Sequence, residues 1–157
     1  MGWLRKQGKR LNFGLKGIGG IKIKLIIKGK PEPQGRPRAS RARNRIIMRD
    51  PETSRNYKRS VAWQAKSQWN KRPLEGALAV EMDIYRQIPK STSNVRRERK
   101  NAKEIRPIVR PDIDNYTKSV LDALDGIVWK DDAQVVTLSA NKYYSDDPRV
   151  ELTVRQI

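Results

Sequence analysis

The chain has 157 residues, 36% of them hydrophobic, which is enough for one modest core and too little for two. Thirty-five Lys and Arg stand against 17 Asp and Glu, so the formal charge is +18 and an anionic polymer is the expected partner. Cys and His are both missing. That excludes disulfides, thiolate zinc sites, Ser-His triads and histidine-metal nuclease centres, and any enzyme chemistry must rest on carboxylates and lysines.

Residues 1–20 mix Lys and Arg with glycines in no clean period and are read as a basic N-terminal extension to a single domain over 21–157. Ile21, Ile23, Leu25 and Ile27 then alternate with Lys22, Lys24 and Lys28, the period of a strand with one buried and one basic face. The stretch from Pro31 to Asn44 holds Pro31, Pro33, Gly35 and Pro37 together with Arg36, Arg38, Arg41 and Arg43, and reads as a guanidinium-rich loop. Thr53 or Ser54 caps a helix to about Asn70, with Tyr57, Val61, Ala62, Ala65 and Trp69 on one face and Pro73 beyond its end. Trp63, Trp69 and Trp129 are expected in core or interface packing.

Ala77 to Tyr85 alternates as a second strand. Residues 89–107, with Arg96, Arg97, Arg99 and Lys100, read as a long, basic, mobile loop. Pro111 introduces a helix over about Asp114–Leu124 that Gly126 ends, and strands near Val135–Tyr143 and Val150–Val154 finish the domain. Apolar runs stop at three or four residues, far from the roughly 20 that span a bilayer. The chain is expected to be cytoplasmic, with no membrane contact.

Charge is unevenly divided: residues 1–110 carry 30 basic and 8 acidic side chains, residues 111–157 only 5 basic and 9 acidic. On a helical wheel, Ile113, Tyr116, Val120, Leu121, Ala123 and Leu124 share one arc of the 114–124 helix, and Asp114, Lys118, Asp122 and Asp125 the opposite one. Asp112 lies just before the helix, and Asp131-Asp132 opens the turn before the next strand. Each feature alone is ordinary: a helix cap, an i,i+4 pair worth ~0.2–0.5 kcal/mol, an acidic turn. Together, in a chain without His or Cys, they supply hard oxygen ligands from two segments and an ammonium nearby, which suits magnesium chemistry.

The run Arg110-Pro-Asp-Ile-Asp-Asn-Tyr-Thr-Lys118-Ser-Val-Leu-Asp-Ala-Leu124, with Trp129-Lys-Asp-Asp-Ala-Gln-Val-Val136 and Lys142, closely resembles the RusA family of Holliday junction resolvases. So does Gly29-Lys-Pro-x-Pro-Gln-Gly-Arg-Pro-Arg38 after the first strand, and the likeness covers roughly residues 21–155. The resemblance implies an α+β domain, a small mixed β-sheet of about four strands with two main helices. It also implies a Mg²⁺-dependent endonuclease, with Mn²⁺ as a possible substitute and no nucleotide cofactor, acting as a symmetric homodimer that nicks opposing strands of a four-way DNA junction in recombination or repair, in a bacterial or phage setting. By motif, Asp112, Asp114 and Asp132 are the expected metal-binding carboxylates and Lys118 the essential lysine. Asp131 is left open as a further ligand. The expected DNA contacts are the clusters Arg36, Arg38, Arg41, Arg43 and Arg96, Arg97, Arg99, Lys100, taken as clusters rather than singly. The rival readings are a non-catalytic basic nucleic-acid-binding protein, which gives no reason for the gathered carboxylates, and a nuclease acting on other branched DNA.

Overall fold

The computed structural model describes residues 20–157, so the expected extension lies outside the described residues except for Gly20. The first strand, β1 (Lys22–Lys28), buries Ile23, Leu25 and Ile27 with the lysines outward, as expected, while Ile21, expected on the same buried face, lies just before it and is 47% exposed. It ends at Gly29, whose φ of +107° is cheap only for glycine. The expected loop over 31–44 is corrected in its second half. β2 (Arg38–Ala42) and β3 (Arg45–Arg49) form an antiparallel two-stranded ribbon closed at Arg43-Asn44. Proline stops at position 37, which frees the backbone beyond it to pair.

Helix α1 (Glu52–Gln68) begins before the expected cap, with Pro51 in the N-cap position. Ser54 is buried in the first turn instead. Its hydroxyl accepts from the Gly35 N–H at 3.0 Å and donates to the Pro33 carbonyl at 3.3 Å, pinning the proline-rich segment to the helix. Gly35 has no room for a side chain, since a Cβ there would stand 2.7 Å from Pro51 Cγ. β4 (Leu78–Gln87) follows. The expected mobile loop over 89–107 is corrected next: Asn94–Asn101 is helix α2. Its sequence has no apolar stripe, and tertiary ties hold it. Arg97 and Asn101 both bond Asp146, and the Lys100 ammonium lies 4.2 Å from the Tyr144 ring centre.

Helix α3 (Ile113–Leu124) ends before Gly126, at φ +73°. A short 3₁₀ turn (Asp132–Gln134) leads into β5 (Val135–Ser145), and β6 (Arg149–Gln156) completes the chain. The main sheet runs β1-β6-β4-β5, with β4 and β5 parallel and the other neighbours antiparallel. The domain is thus α+β with a mixed four-stranded sheet and two main helices, as expected, plus the ribbon and α2.

Helices α1 and α3 cover one face. Tyr57, Val61 and Ala65 of α1 and Tyr116, Val120 and Leu124 of α3 close over Leu25, Ile27, Val80, Met82, Ile84, Leu152 and Val154, with Trp129 fully buried beside them. Trp63 departs from the expected packing and stands 73% exposed. No helix among the described residues is long and apolar enough to cross a membrane.

Candidate active site

The α3 helix is amphipathic, and its polar side is where the chemistry gathers. Asp114, Lys118 and Asp122 stand at i, i+4 and i+8, one above another, and line an open pocket of 510 Å³ together with Asp132 from the 3₁₀ turn. Ile113, Thr117, Leu121, Leu138 and Ala140 form the rest of its wall. Ile113 and Leu121 were expected on the core arc. Leu121 does pack, partly buried, against the core while also lining the pocket, whereas Ile113 stands 37% exposed at the pocket, because the buried stripe of α3 runs through Tyr116, Val120 and Leu124. Asp114 and Lys118 share the pocket without pairing to each other, so both charges are available to a ligand.

The turn before β5 distinguishes the two adjacent aspartates. Asp131 accepts the Ala133 N–H at 2.8 Å and caps the turn. Gln134 accepts the N–H groups of Lys130 and Asp131 and donates to the Leu74 and Gly76 carbonyls, fastening the turn to the core. Asp132 is left facing the pocket. Its carboxyl is raised above the usual range, first by burial, then by its hydrogen bond with Asp131 and by the charges of Asp125, Asp131 and Asp122. Negative charge is therefore in surplus at this wall.

Asp112 occupies the N-cap position of α3, yet its side chain makes no cap hydrogen bond and lies outside the pocket lining, exposed. The loop that carries it is held from β5, where the Lys142 ammonium donates to the carbonyls of Val109 and Pro111, both at 3.0 Å. Burial lowers the pKa of Lys142, with the charge of Arg86 adding to the shift and that of Asp112 opposing it.

Two features went unread in the sequence. Asp122 lies on the polar arc that the sequence predicts, and lines the pocket. Its spacing from Lys118 was the available signal. Lys58 of α1 bridges Asp122 at 3.1 Å and Asp50, at the foot of the ribbon, at 3.0 Å. Nothing local in the sequence announces a bridge across 64 residues.

A family model for the endodeoxyribonuclease RusA matches residues 28–155, a span that contains this whole pocket. The chain belongs to the RusA endodeoxyribonuclease family. It is also 40% identical over 137 residues, 86% of its own length and 96% of the relative's, to the uncharacterised protein YqaN of Bacillus subtilis (strain 168). Asp114 and Lys118 from α3 and Asp132 from the capped turn, within the matched span, line the pocket together.

RusA-family nuclease chemistry implies a divalent cation, and the donor set can be tested against one. Among the described residues no group of three or more Asp or Glu forms a ready cage. Mg²⁺ does not require one, since it is usually held by one or two carboxylates and keeps its waters. Asp114 and Asp132, hard oxygen donors in a pocket with surplus negative charge, fit that ion.

The cationic side chains sort by exposure. Arg36, Arg38, Arg41 and Arg43 are all exposed, and none is in an ion pair among the described residues. Of the second cluster, Arg96 is exposed. Arg97 is paired with Asp146, and Arg99 with Glu104. Lys100, expected among the DNA-facing cations, is corrected: it is buried against Tyr144 and is a support for α2.

Proposed function

We propose that this chain is a Mg²⁺-dependent endodeoxyribonuclease, with Mn²⁺ able to substitute, that works as a homodimer and nicks opposing strands of four-way DNA junctions in recombination or repair inside a bacterial or phage-infected cell. The observation that carries this reading is the gathering of Asp114, Lys118 and Asp122 from α3 with Asp132 from a separate turn in one pocket. A basic architectural protein has no use for such a wall of carboxylates.

Asp114 and Asp132 would hold the cation, with Asp112, at the N-cap of α3, the third carboxylate that the family resemblance names. When bound, the cation supplies Lewis-acid activation of water and neutralises phosphate charge. The Lys118 ammonium, in no ion pair among the described residues, donates to the phosphate oxygens as negative charge builds on them, where a preorganised donor is worth several kcal/mol, about 3 by comparison with oxyanion donors. Lys58 keeps Asp122 paired and oriented at the back of the wall. A four-way junction has two-fold symmetry, and an isologous dimer presents two such pockets to related strands.

The test is nicking of end-labelled four-way, three-way, flap and linear DNA in Mg²⁺ and in EDTA. The wild type is expected to cut the four-way junction with paired nicks in Mg²⁺ only. Asp114→Asn and Asp132→Asn should each lose about a hundredfold or more in rate while binding the junction as the wild type does, and sedimentation should give twice the 18.2 kDa chain mass. Undiminished cutting by Asp114→Asn would overturn the site, and equal cutting of all substrates would overturn the junction preference.

A further inference from the structure

The β2–β3 ribbon stands out from the rest of the domain, with every side chain exposed except that of Ala42. It carries Arg38, Arg41, Arg43, Arg45 and Arg49, and no acidic residue lies between Pro33 and Arg49. None of the five arginines is in an ion pair among the described residues. Strand alternation and the register Arg41↔Ile46, Ala39↔Met48 put Arg41, Ile46 and Met48 on one face, while Arg38, Arg45 and Arg49 share the other. Ile46 is 72% and Met48 61% exposed, an apolar pair flanked by uncompensated guanidinium groups.

That combination decides the class of partner. A protein interface of this size would leave five arginines unanswered unless the partner were densely acidic, whereas a nucleic-acid duplex offers phosphates on both sides and apolar thymine methyls between them. A two-stranded ribbon is one of the two elements that fit the major groove of B-DNA. The place is right as well: Asp50 follows Arg49 directly and is tied through Lys58 to Asp122 on the pocket wall.

We propose that the ribbon enters the major groove of a DNA duplex arm beside the pocket, with Arg41, Ile46 and Met48 toward the base edges and Arg38, Arg45 and Arg49, on the other face, toward the flanking phosphates. This rests on the reading of the chain as a DNA endonuclease, and adds Arg45, Arg49, Ile46 and Met48 to the expected contacts.

Binding of the full chain to four-way and linear DNA is measured in EDTA for the wild type, Arg45→Ala/Arg49→Ala and Ile46→Ser/Met48→Ser, and cleavage is measured separately in Mg²⁺. The arginine variant should bind about tenfold or more weakly, with a log–log salt slope shallower by about 2. The apolar variant should bind several-fold more weakly with the slope unchanged. Methylation of guanine N7, which lines the major groove, should interfere with wild-type binding. Wild-type affinity in both variants, or wild-type binding indifferent to N7 methylation, would overturn the proposal. So would an apolar variant that alters the sedimentation mass of the free protein and leaves DNA binding alone, since the ribbon would then join copies of the chain. Ribbon-dependent binding without metal-dependent cleavage would uphold the groove assignment and overturn the nuclease reading, so the two failures are distinguishable.

Discussion

Asp50 is a small residue with a large reach, because its carboxylate meets Lys58, and Lys58 also meets Asp122 on the pocket wall. Hydrogen bonds from Lys58 and Gln34 hold its carboxyl below the ordinary 3.8, outweighing the opposing effect of burial. A carboxylate depressed in the folded state stabilises above its unfolded pKa and loses that contribution as pH falls through the folded one. The melting temperature of wild type should therefore exceed that of Asp50→Asn by a constant margin above about pH 5, and the margin should vanish as pH drops below 3.8. Thermal unfolding across pH 2.5–7 by circular dichroism checks this. The margin is expected to be modest, under about 1 kcal/mol, because the pair is partly open to solvent. A margin that widened in acid would contradict the depressed carboxyl.

Among the elements, the β1 edge of the main sheet is covered from α1. On β1, Gln68 both accepts from the Ile26 N–H and donates to the Ile26 carbonyl, and Gln64 does the same for Lys28, so two amide side chains of α1 stand in for a neighbouring strand. Replacing both by Ala should cost roughly 1 kcal/mol per site in urea unfolding and promote association through the uncovered edge. A double variant as stable and as monodisperse as the wild type would show that the glutamines are incidental. The main strands and α3 were legible because their apolar periods of two and 3.6 are strong. Helix α2 was not, since Asn-Val-Arg-Arg-Glu-Arg-Lys-Asn has no apolar stripe and owes its shape to Asp146 and Tyr144, more than 40 residues away. The Ile46-Ile47-Met48 strand was missed for a related reason. It has no polar alternation, and its partner follows a run of prolines.

Over the whole molecule, charge is segregated. The basic excess lies in the first 110 residues and an acidic excess in the rest, and folding sets the acidic pocket of α3 beside the arginine ribbon. Polyanion binding by such a surface releases counterions, so junction affinity in EDTA should fall by about 10³–10⁵ between 50 and 200 mM salt if six to ten phosphates are contacted. A filter-binding or anisotropy titration over that range measures it, and a slope near zero would remove the electrostatic basis of binding. Adding Mg²⁺ should steepen cutting at fixed occupancy without rescuing affinity lost to salt, since the cation serves the carboxylate wall and the arginines serve the phosphates.

Composition and period alone determined the chemistry available to this protein: no imidazole or thiol, an excess of cations, and aspartates gathered at the start of one amphipathic helix and the next turn. Only the tertiary structure decided which of those acids act together. Asp131 caps a turn and Asp132 faces the pocket, although they are neighbours in sequence. Asp122 joins the wall through a lysine 64 residues away, and Asp112 stays outside the lining. Periodicity reports which side of its own element a residue occupies. Which elements face one another is settled by long-range packing and hydrogen bonds such as those of Gln134 to Leu74 and of Lys58 to Asp122, and these leave no local pattern to read.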